Sequence, residues 1–204
     1  MPPIVLASRN AKKAIEMAEL LAPHSVKLVA ATDFPEAPDV VESGETFAEN
    51  AARKASQTAL ALSRWTLADD SGLMVDALDG APGVYSARYA GPQADDDANK
   101  VRLLAELADV PDERRTARFV CHLAVADPAG EIRLSVEGAC AGRILRQQRG
   151  GGGFGYDPLF LVPEYDRTFA ELSLAVKSRL SHRARAFDRL ITNLLRLLDA
   201  EASA

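Results

Sequence analysis

Two adjacent carboxylates, Asp69 and Asp70, stand in the run Ala68-Asp69-Asp70-Ser71-Gly72-Leu73. Neighbouring acids repel each other and lose hydration when buried, so they are tolerated where a cation offsets that cost. Acids at the end of a strand are a common way to hold Mg²⁺ against a phosphate. The same hexapeptide also reads as an exposed polar turn, because Asp, Ser and Gly are turn residues. The other segments of the chain decide between the two.

Four of them carry groups that could join such chemistry. Ser8-Arg9-Asn10-Ala11-Lys12-Lys13 lies between an apolar run and an amphipathic stretch. Backbone N–H groups at a helix start attract anions, and its hydroxyl, amide and ammonium groups add donors. The glycines of a Walker A loop are absent, and a simple Ser/Asn cap with solvated lysines is the other reading. Glu42-Ser43-Gly44-Glu45 precedes a capped helix, so Glu42 or Glu45 could face the acid pair as a further metal ligand. Lys54 follows on that helix, a little over two turns beyond Thr46. Gly150 to Gly153 precede Phe154-Gly155-Tyr156-Asp157-Pro158, placing bare backbone beside aromatic faces suited to a base. Lys177, Ser181, His182 and Arg183 stand before the last amphipathic stretch. Ser181 could cap that helix, and cations in a first turn oppose the helix dipole, which suggests a ligand for His182 and Arg183.

The elements that must position these groups follow from periodicity. Ile4 to Ala7 reads as a buried strand, followed by a helix with Ile15, Ala18, Leu21 and Ala22 as its apolar stripe. Val26 to Ala30 is a second strand. Thr46-Phe47-Ala48-Glu49 is a capping box that starts an alanine-rich, closely packed helix to about Leu62. Thr66 to Ala68 is a strand ending at the acids, and Leu73 to Leu78 is extended. A helix spans about Asp96 to Leu107. Alternating runs around Phe119–Val125 and Ile132–Glu137, joined by Asp127-Pro128-Ala129-Gly130, form a β-hairpin. Phe187, Leu190, Ile191, Leu194, Leu195 and Leu198 line one stripe of a final helix. The pattern is mixed α/β with an antiparallel component in its middle third.

Composition bounds what these elements serve. The chain has 204 residues and a net charge of −5, which disfavours non-specific binding to duplex DNA or an anionic membrane. No basic stripe with interleaved aromatics suggests a nucleic-acid role. No segment approaches the roughly 18–20 apolar residues needed to span a bilayer. The N-terminal apolar run is too short for a signal peptide, so a cytoplasmic location is expected. Cys121 and Cys140 fall in separate strands and are expected as reduced core thiols, although a pair is open if those strands are neighbours.

Taken together, the set resembles the inosine triphosphate pyrophosphatase family, the dITP/XTP pyrophosphatases, over nearly the whole chain. The landmarks run in family order: Ser8-x-Asn10-x-x-Lys13, Glu42-x-Gly44-x-Thr46-Phe47-x-x-Asn50-Ala51-x-x-Lys54-Ala55, Ala68 to Leu73, Gly80-Ala81-Pro82-Gly83-Val84-Tyr85-Ser86-Ala87-Arg88-Tyr89, Gly152 to Pro158, and Lys177-Ser178-x-x-Ser181-His182-Arg183. The resemblance implies a single domain over residues 1–204 with two lobes. The implied α/β fold is a long mixed β-sheet flanked by helices, with an active-site cleft between the lobes. It implies Mg²⁺-dependent hydrolysis of ITP, dITP and XTP to the monophosphate and pyrophosphate by a homodimer. Asp70 would be general base and metal ligand, with Glu42 (or Glu45) as its metal partner and Asp69 in support. Substrate would be held by Ser8, Arg9, Asn10, Ala11, Lys12, Lys13, Lys54, Ser71, Phe154, Gly155, Tyr156, Asp157, Lys177, His182 and Arg183. Arg9 stands where the family often has Gly, and Glu45 leaves the metal partner open between two acids.

The chemistry implied is attack of water at phosphorus with pyrophosphate leaving, Asp70 taking the water's proton. A donor from His182 or Arg183 suits a 6-keto oxygen and clashes with the adenine amino group. A nucleotide-binding module without turnover, a pyrophosphatase for modified pyrimidine nucleotides and a metal-dependent phosphomonoesterase are the competing readings. The first would release no pyrophosphate, and the last would release orthophosphate.

Overall fold

The structure, a computed structural model, describes residues 2–202. Met1, which opens the N-terminal apolar run, and residues 203–204 lie outside the described residues. The chain divides into two compact units: residues up to Asp70, Cys121–Gly138 and Arg183 onward form the first, and Ser71–Val120 with Ala139–His182 form the second.

In the first unit, β1 (Ile4–Leu6) leads into α1 (Ala11–Leu21) and then β2 (Leu28–Ala30). The two strands are parallel, with Val5 opposite Val29, as the intervening helix requires. Next comes α2 (Phe47–Leu62), which leads into β3 (Thr66–Val75), also parallel to β1. Ala51, Ala55 and Ala59 of α2 pack on Ala7, Ala68, Ala124 and Ala126. Side chains this small let the helix lie close to the strands, which brings Lys54 within reach of the acid pair. A larger core joins Ile4, Leu6, Met17, Leu21 and Leu67 to Phe187, Leu190, Leu194 and Leu198 of the final helix.

The second unit contains α3 (Asp96–Glu106), capped by Asp95, whose carboxylate accepts from Ala98 N at 2.8 Å. Strands β4 (Thr116–Ala126) and β5 (Ile132–Ile144), like β3, each belong in part to both units. Asp127 and Gly130 close the turn between them, Gly130 N donating to Asp127 O at 2.8 Å. After β5 come β6 (Phe160–Val162), β7 (Arg167–Thr168), α4 (Leu174–Leu180) and α5 (His182–Ala202). The seven-stranded sheet has the order β2-β1-β3-β4-β5-β6-β7, parallel at its β2-β1-β3 end and antiparallel through β5-β6-β7.

Two expectations change. The acids do not end a strand: β3 runs on through Ser71 and Gly72 to Val75, while Asp76–Leu78 forms a 3-10 turn. Gly72 is not among the glycines with positive φ, and Leu73 and Val75, on one face of the strand, are fully buried in the same core, so that packing carries the strand through turn-like residues. The buried face of α1 is Met17, Leu20 and Leu21, while Ile15 is 57% exposed. The cysteines are as expected: Cys121 and Cys140 are buried free thiols, and although β4 and β5 are neighbours they lie in different cores.

Candidate active site

Side chains alternate across a strand, so Asp69 and Asp70 are sent in different directions and meet different cations. Asp70 is 6% exposed and meets Lys54, whose Nζ lies 2.7 Å from Asp70 Oδ1, 2.7 Å from Glu42 Oε1 and 2.8 Å from Asp69 O. Glu42 arrives there because its loop is latched to the start of α2. Thr46 Oγ1 accepts from Glu49 N at 3.1 Å, Asn50 Oδ1 accepts from Gly44 N at 2.8 Å, and Glu49 Oε2 accepts from Glu45 N at 2.8 Å. The return bond of the capping box therefore lands on Glu45 N, one residue before the cap. Gly44 is required at this latch, since a Cβ there would stand 2.7 Å from Asn50 Oδ1 and 2.8 Å from Glu49 Cβ. Of the two candidate acids, Glu42 reaches Lys54, and Glu45 is exposed.

Electrostatics separates the acid pair further. Burial pushes the Asp70 carboxyl up, Lys54 pulls it down, Glu42 pushes it up again, and the net is above the ordinary aspartate value. Lys54 sits above its ordinary value because Asp70 and Glu42 outweigh the cost of burial. Asp69 goes the other way. Burial opposes its charge, but Arg183 and Lys13 hold it well below the usual carboxylate range. Arg183 Nε donates to Asp69 Oδ2 at 2.7 Å and Lys13 Nζ to Asp69 Oδ1 at 2.8 Å, while Arg183 Nη1 also meets Glu16. Cys121 Sγ lies 3.4 Å from Asp69 Oδ2. Glu16 was not named from sequence, and Cys121 was read only as a core thiol; the available signal for Glu16 is its place one turn after Lys13 on α1.

At the start of α1, Asn10 Oδ1 accepts from Lys12 N and Lys13 N at 3.0 and 3.1 Å, so the cap already answers two of the helix's N–H groups. Asn10 N in turn donates to Ser8 Oγ at 3.2 Å. Ala11 is the first helical residue. Arg9 stands 3.6 Å from Asp39 with both side chains largely exposed, a weak surface pair.

The second unit holds a separate cluster. Lys177 Nζ donates to Asp157 Oδ2 at 2.8 Å, both side chains being at most 7% exposed. The same ammonium lies over the rings of Phe154 and Phe169, 5.5 and 5.4 Å from their centroids. Asp157 Oδ2 also accepts from Phe154 N at 2.9 Å, which folds the loop back on itself. Gly153 has φ +71°, and a Cβ there would stand 2.0 Å from Asp157 Oδ2. Gly155 N donates to Asp96 Oδ2 at 2.8 Å, tying the loop to α3. Tyr156 is buried and its hydroxyl donates to Ser86 O at 2.9 Å, so Phe154 is the more open aromatic face. His182 stacks on Phe119 with ring centroids 4.9 Å apart. Ser71, half-buried, continues β3 directly after Asp70. Ser181 is extended, with φ −67° and ψ 162°, and separates α4 from α5.

The Glu42–Asp70 pair offers carboxylate oxygens, and among the described residues no group of three or more His, Cys, Asp or Glu side chains gathers as a metal cage. That donor set fits Mg²⁺, which is usually bound by one or two carboxylates with waters and substrate phosphates completing its shell. Among the described residues no helix is long and apolar enough to cross a membrane.

The fold and this centre define a mixed α/β protein with a buried acid–lysine site and a glycine–aromatic loop. The chain belongs to the Ham1 family, whose family profile matches residues 4–193. It is 54% identical to a dITP/XTP pyrophosphatase of Rhodopirellula baltica over 201 residues, 98% of this chain and 97% of that protein. It also superposes on the solved structure of a HAM1 protein from Coxiella burnetii with a TM-score of 0.87, at 43% identity over 96% of this chain and 100% of the other. A nucleoside-triphosphatase / dITP/XTP pyrophosphatase structure from Mycobacterium abscessus gives a TM-score of 0.75 at 46% identity, over 93% of this chain and 99% of that one.

Proposed function

We propose that this chain hydrolyses non-standard purine nucleoside triphosphates, ITP, dITP and XTP, to the monophosphate and pyrophosphate, as a Mg²⁺-dependent homodimer in the cytoplasm. The observation that carries the reading is the convergence of Glu42 and Asp70 on one cation position, with Lys54 at 2.7 Å from each. Names given to close relatives supply the substrate class. Glu42 and Asp70 are the residues that would hold Mg²⁺, which when bound supplies charge neutralisation for the phosphate oxygens and the leaving group.

The rest is work for side chains of the chain itself. Asp70 takes a proton from the attacking water as its oxygen bonds to phosphorus and the bond to the pyrophosphate oxygen breaks. Ser8, Lys12 and Lys13 stand at the start of α1, and with Lys54 they supply donors for phosphate oxygens; Ser71 adds a hydroxyl. Asp69 is a positioning residue that orients Lys13 and Arg183. In the glycine–aromatic loop, Phe154 offers a face for the base, and Asp157 fixes Lys177 beside it. A donor from His182 or Arg183 reads the 6-keto oxygen, Arg183 also being held by Asp69 and Glu16.

A panel of ITP, dITP, XTP, ATP, GTP and modified pyrimidine triphosphates, with Mg²⁺, tests the reading. Fast turnover of the first three and slow turnover of the others is the expected result. Equal rates for ATP and ITP would overturn the selectivity.

A further inference from the structure

The ammonium of Lys54 is bound as a cation is bound. Its three N–H donors meet three oxygens, two from carboxylates and one from the main chain, at 2.7–2.8 Å. The side chain is 11% exposed and comes from the alanine-packed face of α2, where Ala51 and Ala55 are fully buried. The latch of Gly44 on Asn50 holds Glu42 in place from the other side. Lys54 is thus neither a solvated lysine nor one that reaches outward toward a ligand.

We infer that Lys54 is an internal counter-ion that competes with the divalent metal for Glu42 and Asp70, and that nucleotide phosphate releases it. The inference rests on the reading that these two carboxylates hold the metal. With the ammonium in place, the two acids present one net negative charge between them, a poor site for a free divalent ion. A divalent ion on the same oxygens would also repel the ammonium at close range. A triphosphate brings anionic oxygens that offer the ammonium a new partner. The carboxylates then become available, so metal enters with the nucleotide rather than ahead of it. Lys54 would by this account keep the acid pair stably folded between turnovers and gate metal entry.

The experiment is Mn²⁺ binding to the nucleotide-free protein, followed by the electron paramagnetic resonance signal of free Mn²⁺ and by the rise in melting temperature with Mn²⁺. Lys54→Met should bind Mn²⁺ at least tenfold more tightly than the wild type and gain more thermal protection from it. Lys54→Arg keeps the positive charge and should stay close to the wild type. Adding Glu42→Gln to Lys54→Met should remove the gain. If Lys54→Met does not fold, Lys54→Gln is titrated in its place. Equal or weaker Mn²⁺ binding without the lysine, while Glu42→Gln still lowers it, overturns the counter-ion role alone. Binding that ignores Glu42→Gln overturns the assignment of the metal to this acid pair, and the inference with it.

Discussion

Arg183 Nε donates to Asp69 Oδ2 at 2.7 Å, and both side chains are at most 2% exposed. The pair joins the start of α5 to the middle of β3 across 114 positions of sequence. It gives the first acid of the Asp69-Asp70 pair a structural partner, leaving the second to Glu42 and Lys54. A buried charge of this kind is stable only while its partner is present.

Asp69→Asn should therefore destabilise the protein by about 3–5 kcal/mol at neutral pH, because Arg183 and Lys13 lose a buried counter-charge. The pH dependence has a definite sign. Asp69 is held well below its ordinary value in the folded state, so its contribution is present above the unfolded aspartate value of about 3.9 and is lost as pH falls through the folded one. Urea denaturation from neutral to acid pH should show the gap between variant and wild type narrowing as the acid limb is entered.

Gly44→Ala is expected to act through Glu42. The added methyl meets Asn50 Oδ1 and the Glu49 Cβ, so the latch on α2 must shift. Such overpacking costs about 1–3 kcal/mol. The melting temperature should fall modestly, and the metal concentration for half-maximal activity should rise. An unchanged metal requirement would separate the latch from Glu42.

Gly153→Ala tests the glycine–aromatic loop. Its φ of +71° disfavours any side chain by about 1–2 kcal/mol, and the new Cβ collides with the carboxylate that pairs with Lys177. KM for ITP should rise by roughly tenfold or more with a smaller change in kcat. A variant with wild-type KM would remove this loop from substrate binding.

His182→Ala should act on selectivity. If His182 donates to the 6-keto oxygen, its loss should narrow the ratio of ITP to ATP turnover by up to about a hundredfold, the scale of one buried donor. Loss of both activities in parallel would make His182 a packing residue on Phe119 instead.

How far these relationships were legible in the chain depended on their range. The α5 stripe was plain, because Phe187, Leu190, Leu194 and Leu198 repeat at helical spacing and are all buried. The stripe of α1 was misplaced. Leu21 is buried as expected, but Ile15 is apolar yet exposed, and the core takes Met17 and Leu20 beside Leu21. The cap at Thr46 was legible because it is local; the route of the return bond to Glu45 was not. Asp-Asp-Ser-Gly has turn composition, and only the packing around Leu73 and Val75 makes it strand. The partners of Asp69 and Asp70 lie on α1, the Glu42 loop, α2 and α5. Sequence spacing could nominate these residues as a set, but it could not divide them between the two acids.

The measurement that bears most directly on the central claim is product formation from ITP with Mg²⁺ saturating, compared between the wild type and Asp70→Asn by phosphorus NMR. The wild type should give inosine monophosphate and pyrophosphate, and the variant should be slower by about 10²–10⁴-fold, the usual contribution of a positioned base. Orthophosphate as the first product, or near wild-type turnover without the Asp70 carboxylate, would contradict the account.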